Sequence, residues 1–294
     1  MLKPSIPTSP ITPAHPYALP LPLPEEPFQS TCFRCWAPYQ KQLNEVLTDH
    51  GKARILDQFV AEHTMGLTEG DPAALYLARC GLPGPVSSDL RYHPALDYHF
   101  DDQFLGKFPA MVAAMRSPRR DTRKLYYTFL TLDGRLAGLP HPRIVVDMRV
   151  NSLKSCLELH EPRDGVIGIA LSLEAAQAIY LDYAVPTVAA ITYQNLANFT
   201  ASKEARHLII FANNDLAALD SALVLTNRAH AAGLTVKIMR LPESSPNWCA
   251  LRAKRLAQVN GCAADFFLQR PDLLPIVLTR MELRARLQSL RFKT

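Results

Sequence analysis

Two short apolar runs in the middle of the chain are each followed by side chains that could coordinate a metal ion. Residues 166–171 are followed by Glu174, and residues 208–211 are followed by Asn213 and Asp215. Carboxylate and amide oxygens are the hard ligands that Mg²⁺ takes in proteins, and a bound Mg²⁺ neutralises charge that develops on a phosphate. A carboxylate beside the metal can also move a proton. Two acids and one amide make only part of such a site.

The segments around these side chains predict a parallel sheet. Residues 166–171, 208–211 and 235–239 are short and rich in β-branched residues, and helical patterns lie between them. This alternation is typical of strands joined by crossover helices, and ligands of parallel sheets bind beyond the carboxyl ends of the strands. Ser172 is a candidate cap for a helix over residues 173–183. The predicted fold class is therefore α/β, with a mostly parallel sheet flanked by helices.

A different module is predicted upstream. Apolar residues recur at helical spacing over residues 39–63, and Asp71 followed by Pro72 is typical of a helix start. Residues 125–132 and 144–150 are β-rich and are joined by a turn, which favours antiparallel pairing. The sequence therefore predicts a helical and antiparallel α+β module before the parallel sheet.

An ordered series of motifs resembles the Toprim domain of primase-like proteins of phages, plasmids and integrative elements. The family's Glu-Gly-Ile-Glu-Thr-Ala corresponds to residues 171–176, its Asp-x-Asp to residues 213–215, and its Asp-Trp-x-Asp to residues 247–250. The resemblance extends upstream and covers about residues 70–258. It implies a Toprim-like, Rossmann-like sheet, a replication context and, in an intact member, Mg²⁺-dependent primase chemistry.

Most of the acids that this resemblance implies are replaced. Leu171 stands where the catalytic glutamate is expected, and leucine can neither transfer a proton nor bind a metal. Asn213 replaces the first aspartate, so it can ligate a cation but adds no negative charge. Glu174 and Asp215 remain as vestigial catalytic carboxylates, and Asp215 with Asn213 would form at most a weak metal site. Because cation affinity depends on ligand charge, we expect no cofactor, or Mg²⁺ if the site is active.

Both surviving acids also have structural interpretations. Glu174 would lie in the first turn of its helix, where it favours the helix dipole, and Asp215 could be a helix N-cap. Each acid could serve in both ways.

Basic side chains supply candidate contacts to nucleic-acid phosphates. One cluster is predicted on a loop before a strand and comprises Arg116, Arg119, Arg120, Arg123 and Lys124. A second cluster decorates the last predicted helix, with Arg280, Arg284, Arg286, Arg291 and Lys293. Phosphate contacts of this kind make binding fall steeply with salt, but basic runs are also common on solvated surfaces.

The organisation along the chain predicts four segments. These are a proline-rich flexible arm (1–30), a helical plus antiparallel primase-associated module (31–158), a Toprim-like domain (159–262) and a C-terminal basic helical tail (263–294). Cys32 and Cys35 have the spacing of half a zinc site, but no second closely spaced pair completes it. Unpaired cysteines are the alternative there.

Bulk composition describes an ordinary globular protein. The chain has 294 residues, 48% hydrophobic residues and a formal net charge of +5, which permits nucleic-acid binding without requiring it. No apolar run approaches the roughly 18 residues that a membrane span needs, and no secretory signal is visible. The six cysteines are scattered, which favours a reducing cytoplasm.

These features favour a primase-related protein of a mobile genetic element that has lost most or all catalytic activity. Its expected partners are single-stranded DNA, a primer-template junction or a replication protein, and no membrane. One alternative is an active Mg²⁺-dependent DNA primase or nucleotidyltransferase that uses Asp215, Glu174 and a further acid such as Asp220 or Glu243. The other alternative is a pure protein-interaction module working through the proline-rich arm and an idle Toprim scaffold.

Overall fold

The computed structural model describes residues 28–30, 49–84, 87–101, 103–119, 121–147, 154–259 and 275–291, and their strands form two sheets. The strands of the first sheet are β1 (Phe28–Ser30), β2 (Met65–Gly66), β3 (Leu90–Phe100), β4 (Gln103–Arg116), β5 (Thr122–Phe129) and β6 (Arg143–Asp147). Their order is β1-β6-β5-β4-β3-β2, and every neighbouring pair is antiparallel except β1 and β6. Two helices accompany this sheet, α1 (Asp49–His63) and α2 (Pro72–Arg79).

The second sheet carries the parallel strands that the sequence predicts. Its elements are β7 (Val166–Ala170), α3 (Leu173–Tyr183), β8 (Thr187–Ala189), α4 (Tyr193–Asn198), β9 (His207–Ala212), α5 (Leu216–Ala231), β10 (Thr235–Arg240), α6 (Trp248–Val259), β11 (Ile276–Leu278) and α7 (Arg280–Arg291). The strand order is β11-β10-β9-β7-β8, with only β11 antiparallel to its neighbour. The prediction of an α/β protein with a mostly parallel sheet and an antiparallel module is confirmed at this level.

The two faces of the first sheet are covered by different partners. In β4 the alternate residues Ala110, Val112 and Ala114 pack with α1, whereas Met111, Ala113 and Met115 pack in the core that also contains α2 and α3. A strand with both faces buried reads as a continuous apolar run, which is what β4 shows. The second of these cores joins the antiparallel and parallel sheets.

Local capping signals placed several helices correctly. Asp71 is the N-cap of α2, with its Oδ1 accepting the Ala74 backbone N–H at 2.7 Å, and Pro72 occupies the first turn. Ser172 caps α3 in the same way, and α3 spans the predicted residues 173–183. Ser, Asp and Thr caps satisfy backbone N–H groups that the first turn leaves without partners.

The long β3–β4 hairpin was not predicted as a pair of strands. Pro94 and Gly106 interrupt the alternation of side chains, and the register of the hairpin shifts between His93 and Leu96 and again between Tyr98 and His99. Such irregularities break the period of two that sequence patterns depend on.

Strands also occur in two ranges predicted to be peripheral. β1 falls at the end of the predicted proline-rich arm, and it pairs with β6. β11 and α7 fall in the predicted basic tail, where β11 extends the second sheet and Leu283 and Leu287 of α7 are buried in its core. The remainder of the arm, residues 1–27, lies outside the described residues.

Gly168 allows β7 to pack closely at the centre of the second sheet, and substitution there should be costly. A Cβ at this position would lie 2.6 Å from Thr187 Oγ1 and 3.0 Å from Phe211 Cε2. We expect Gly168→Ala to lower the free energy of unfolding by about 1–3 kcal/mol through overpacking, measured as a shift in the urea midpoint. The control is Gly138→Ala, which meets open space. Equal midpoints for the two variants would contradict the packing around β7.

No helix in the described part of the chain is long and apolar enough to cross a membrane.

Candidate nucleic-acid interface at the carboxyl edge of the parallel sheet

Four helices, α3 to α6, follow the carboxyl ends of parallel strands, and each has a side-chain cap. In α4 the cap is Thr192 Oγ1, which accepts the Asn195 backbone N–H at 3.1 Å. Ser172 Oγ, Asp215 Oδ1 and Asn247 Oδ1 accept backbone N–H groups of α3, α5 and α6 at 3.0, 2.7 and 2.8 Å. Helix N-termini carry a partial positive charge. This edge of the sheet, which we call the carboxyl edge, is therefore set up to favour negative charge wherever acidic side chains do not cancel it.

Glu174, one of the two predicted vestigial acids, is buried in a polar triad. Its Oε1 accepts the Tyr76 hydroxyl proton at 2.6 Å and lies 3.2 Å from Arg143 Nη2, which also donates to the Tyr76 oxygen at 2.7 Å. The side chains of Arg143 and Glu174 are 5% and 2% exposed. Because Tyr76 is on α2, Arg143 on β6 and Glu174 on α3, the triad links the antiparallel module to the parallel sheet.

The electrostatics of the triad favour a charged Arg143 and a neutral Tyr76. Burial raises the pKa of Tyr76 well above its ordinary value, and the Glu174 carboxylate raises it further. Burial opposes the charge on Arg143 most strongly, but Glu174, Tyr126 and Tyr76 together outweigh it and raise the pKa of the guanidinium. Glu174 therefore holds the two sheets together through Arg143 and Tyr76. Its position in the first turn predicted only an interaction with the helix dipole.

Asp215, the second surviving acid, is confirmed as the N-cap of α5. One carboxylate oxygen is used by the cap, and the other, Oδ2, is buried and has no hydrogen-bond partner among the residues that the structure describes. Leu171 directly follows β7 with 4% of its surface exposed, and its carbonyl accepts the Ile191 N–H at 2.6 Å. Asn213 lies between β9 and the cap, half-buried.

These residues do not fit a magnesium ion. Leu171 offers no ligand, Glu174 is held by Tyr76 and Arg143, and Asp215 is held by the α5 backbone. Across the described ranges, no group of three or more His, Cys, Asp or Glu side chains could hold a metal ion. The donor chemistry of the edge is therefore poor in the carboxylates that Mg²⁺ needs.

The further acids considered for an active site are each ion-paired. Asp220 Oδ1 lies 2.8 Å from Arg291 Nη2 on α7. Glu243 Oε1 accepts from both Arg240 Nη1 at 2.8 Å and Arg286 Nη2 at 2.7 Å. Neither arrangement adds a free carboxylate to Asp215.

Arg240 is the residue of this edge that the sequence interpretation missed. It ends β10, its side chain is 9% exposed, and its Nη1 also donates to Asn214 Oδ1 at 2.9 Å. A guanidinium thus lies beside the residue that precedes the Asp215 cap. The sequence contains a signal that could have found it. Arg240 is the last residue of a short apolar strand, at the end where ligands of parallel sheets bind.

The residues of the first basic cluster differ in their exposure and in their partners. Arg116 ends β4 and makes a bidentate contact to Asp89, with Nη2–Oδ1 at 2.6 Å and Nε–Oδ2 at 2.9 Å. Lys124 lies within β5 and is 6% exposed, and Arg119 is exposed. Arg116 and Lys124 therefore lie on strands, where the sequence predicted a loop. Arg120 and the side chain of Arg123 lie outside the described residues.

The cysteines in the described part of the chain are free and buried, namely Cys80, Cys156 and Cys249. Burial raises the pKa of Cys80 and of Cys156 to about 12, so both thiols stay protonated near neutral pH. The Cys32 and Cys35 pair, for which zinc was considered, lies outside the described residues.

Comparison with solved structures identifies the fold. The Aquifex aeolicus primase, comprising its zinc-binding and RNA polymerase domains, is 15% identical; the match covers 84% of this chain and 68% of that chain, with a TM-score of 0.50. The chain has a primase-like fold. A DnaG primase catalytic domain bound to ssDNA is 14% identical over 86% of this chain and 92% of that one, with a TM-score of 0.46.

Other comparisons are narrower. A DNA primase domain from Pseudomonas aeruginosa is 13% identical over 66% of this chain and 61% of its own length, with a TM-score of 0.35, so the chain spans less than two thirds of it. A family model described as a domain of unknown function (DUF7146) matches residues 58–149, which is less than half of the chain. No curated protein matches.

Proposed function

We propose that this protein is a primase-related, Toprim-like protein of a mobile genetic element that binds nucleic acid without metal-dependent catalysis. The observation that carries the proposal is the chemistry of the carboxyl edge. In a primase-like fold, Leu171 and Asn213 stand at the positions where the Toprim resemblance implies acids, and the remaining acids are held by protein groups. Catalysis of the primase type is therefore lost or strongly reduced, while the scaffold is kept.

The proposed ligand is single-stranded DNA or a primer-template junction. The N-termini of α3 and α6, whose caps Ser172 and Asn247 are neutral, and Arg240 give the carboxyl edge partial positive charge, and Arg119 adds an exposed cation on the first module. Nucleic-acid backbones are recognised mainly through such groups. A replication protein could dock on the same complex.

The proposal predicts salt-dependent DNA binding that does not need a metal. We expect fluorescence anisotropy with labelled single-stranded DNA to give equal affinity in EDTA and in Mg²⁺, because the acids that would hold a metal are absent. Replacing three of the five members of the first basic cluster, by Arg119→Ala, Arg120→Ala and Arg123→Ala, should flatten the slope of log affinity against log salt by about 2, since each single-strand phosphate contact contributes roughly 0.7.

The control removes three positive charges at the amino end of the parallel sheet, which is opposite the carboxyl edge. Arg163, Lys203 and Arg206 are exposed near the amino ends of β7 and β9, and their replacement by alanine should leave most of the slope intact. Absence of DNA affinity at every salt concentration would refute the proposal and favour the protein-interaction alternative. Template-dependent primer synthesis that requires Mg²⁺ would refute the loss of catalysis.

A further inference from the structure

The carboxyl edge contains two arginines that share one exposed carboxylate. Arg240 Nη1 and Arg286 Nη2 both donate to the same oxygen, Oε1 of Glu243, at 2.8 and 2.7 Å. The Arg240 side chain is 9% exposed, that of Arg286 33%, and that of Glu243 63%. Arg240 is thus largely buried and also held by Asn214, whereas the Glu243 carboxylate that joins the two arginines is the most exposed of the three side chains. We call these three residues the arginine pair and its glutamate.

The arginine pair has donors that the glutamate does not use. The Nε atoms of both Arg240 and Arg286 are buried and have no hydrogen-bond partner within the described segments. Each guanidinium has five N–H donors, and buried donors without acceptors are costly. Two cations against one carboxylate also leave a formal charge of +1 on the three residues. An anion with more oxygens and more charge than a carboxylate would satisfy this pair better.

The place of the pair in the fold points to a phosphate. Arg240 closes β10, and its Nη1 also contacts Asn214, the residue before the Asp215 cap of the 16-residue helix α5. This is the edge of a parallel sheet where ligands bind. The Asp215 carboxylate already caps the α5 N-terminus, so the charge that attracts an anion here comes from the two arginines. Guanidinium pairs match phosphate oxygens in geometry and charge.

We propose that Arg240 and Arg286 form a metal-independent phosphate site and that Glu243 covers it in the absence of ligand. A phosphate group displaces the Glu243 carboxylate, which is free to turn into solvent, and takes its place between the two guanidiniums. For its ligand the inference rests on the proposed function, because a nucleic acid or a nucleotide supplies the phosphate. An edge whose acids are lost thus binds the phosphate directly, without a bridging cation.

The chain offers a matched control for Glu243 and for Arg286. Asp220 and Arg291 form a second carboxylate–arginine pair between α5 and α7, with Oδ1 and Nη2 2.8 Å apart. Asp220→Asn and Arg291→Gln change the net charge by the same amounts as Glu243→Gln and Arg286→Gln. Both arginines lie on α7, so the controls also carry any effect of altering that helix.

Calorimetry with inorganic pyrophosphate in EDTA, at constant ionic strength, tests the site. Removing the competing carboxylate by Glu243→Gln should tighten pyrophosphate binding about tenfold, and Arg286→Gln should weaken it about tenfold, as expected for charge-assisted hydrogen bonds. Asp220→Asn and Arg291→Gln should change affinity less than twofold, an order-of-magnitude bound for screened surface charges. Arg240→Lys, which keeps the charge but loses the fork, should also weaken binding.

The outcomes separate this inference from the proposed function. If neither the natural protein nor Glu243→Gln binds pyrophosphate at millimolar concentration while single-stranded DNA still binds, the phosphate site is refuted and the DNA-binding function stands. If pyrophosphate binds with the expected pattern and DNA does not, the site stands and the proposed function fails. Equal effects of Glu243→Gln and Asp220→Asn would show a general charge effect and overturn the site. Sensitivity of DNA affinity to Arg286→Gln would identify the nucleic-acid backbone as the source of the phosphate.

Discussion

Replacing Arg143 by methionine should lower the free energy of unfolding by about 3–5 kcal/mol, the cost typical of leaving a buried charge without its partner. Arg143 and Glu174 are 5% and 2% exposed, so water cannot replace the lost guanidinium. Tyr76 can donate only one proton to the carboxylate, and it already does so. The variant should therefore unfold at a lower urea concentration and a lower temperature.

A double variant distinguishes a buried ion pair from simple loss of volume. Arg143→Met with Glu174→Leu removes both charges, and we expect it to be more stable than either single variant, because an apolar pair pays no desolvation cost. Tyr76→Phe removes the hydrogen bonds to both Glu174 and Arg143 and should cost at least about 1.5–3 kcal/mol, the range for one hydrogen bond to a charged group. Additive single effects in the double variant would contradict the coupling.

The control for this prediction is an exposed ion pair between Arg79, on the same helix as Tyr76, and Asp133 in the turn after β5. Arg79 Nη2 lies 3.5 Å from Asp133 Oδ2, and the two side chains are 48% and 52% exposed. Arg79→Met should cost less than about 1 kcal/mol, because exposed ion pairs are screened by solvent. An equal cost at Arg79 and Arg143 would show that the buried triad has no special weight.

Restoring the missing acids should create a metal site. We expect the double variant Leu171→Glu, Asn213→Asp to bind Mg²⁺ or Mn²⁺ at millimolar concentration or below by calorimetry, whereas the natural protein should not. Two added carboxylates at the ends of β7 and β9 raise the negative charge beside Asp215, and affinity in oxygen sites follows ligand charge. Removing Asp215 from the double variant by Asp215→Ala should abolish the gain.

The same variant should couple metal binding to stability. Leu171 is 4% exposed, so a glutamate there buries a carboxylate and should destabilise the protein in EDTA. Metal that binds only the folded state should raise the melting temperature of the variant and leave the natural protein unchanged. A control with Gln58→Glu and Leu132→Glu adds two carboxylates at exposed positions of the first module. Metal binding by the natural protein that Asp215→Ala removes would overturn the assignment of a lost site.

The residues at the carboxyl edge show what the sequence by itself determined. The alternation of short apolar runs and helical patterns predicted β7, β9 and β10, because strand and helix periods are local properties. The caps Asp71 and Ser172 were predicted for the same reason, since a cap bonds a backbone group three residues away. The sequence alone also shows that Leu171 and Asn213 stand where the Toprim resemblance implies acids.

The tertiary structure decided what the remaining side chains do. Glu174 contacts Tyr76, 98 residues away, and Arg143 on a different sheet, and no local pattern carries either contact. Lys124 was grouped with surface cations, but it lies on a strand with both faces covered and is buried. Arg240 and Arg286 meet at Glu243 only because α7 packs against α5 and β11. Spacing along the chain predicts elements, whereas the partner of a charged side chain depends on how those elements pack, and that packing gives the carboxyl edge its arginine pair.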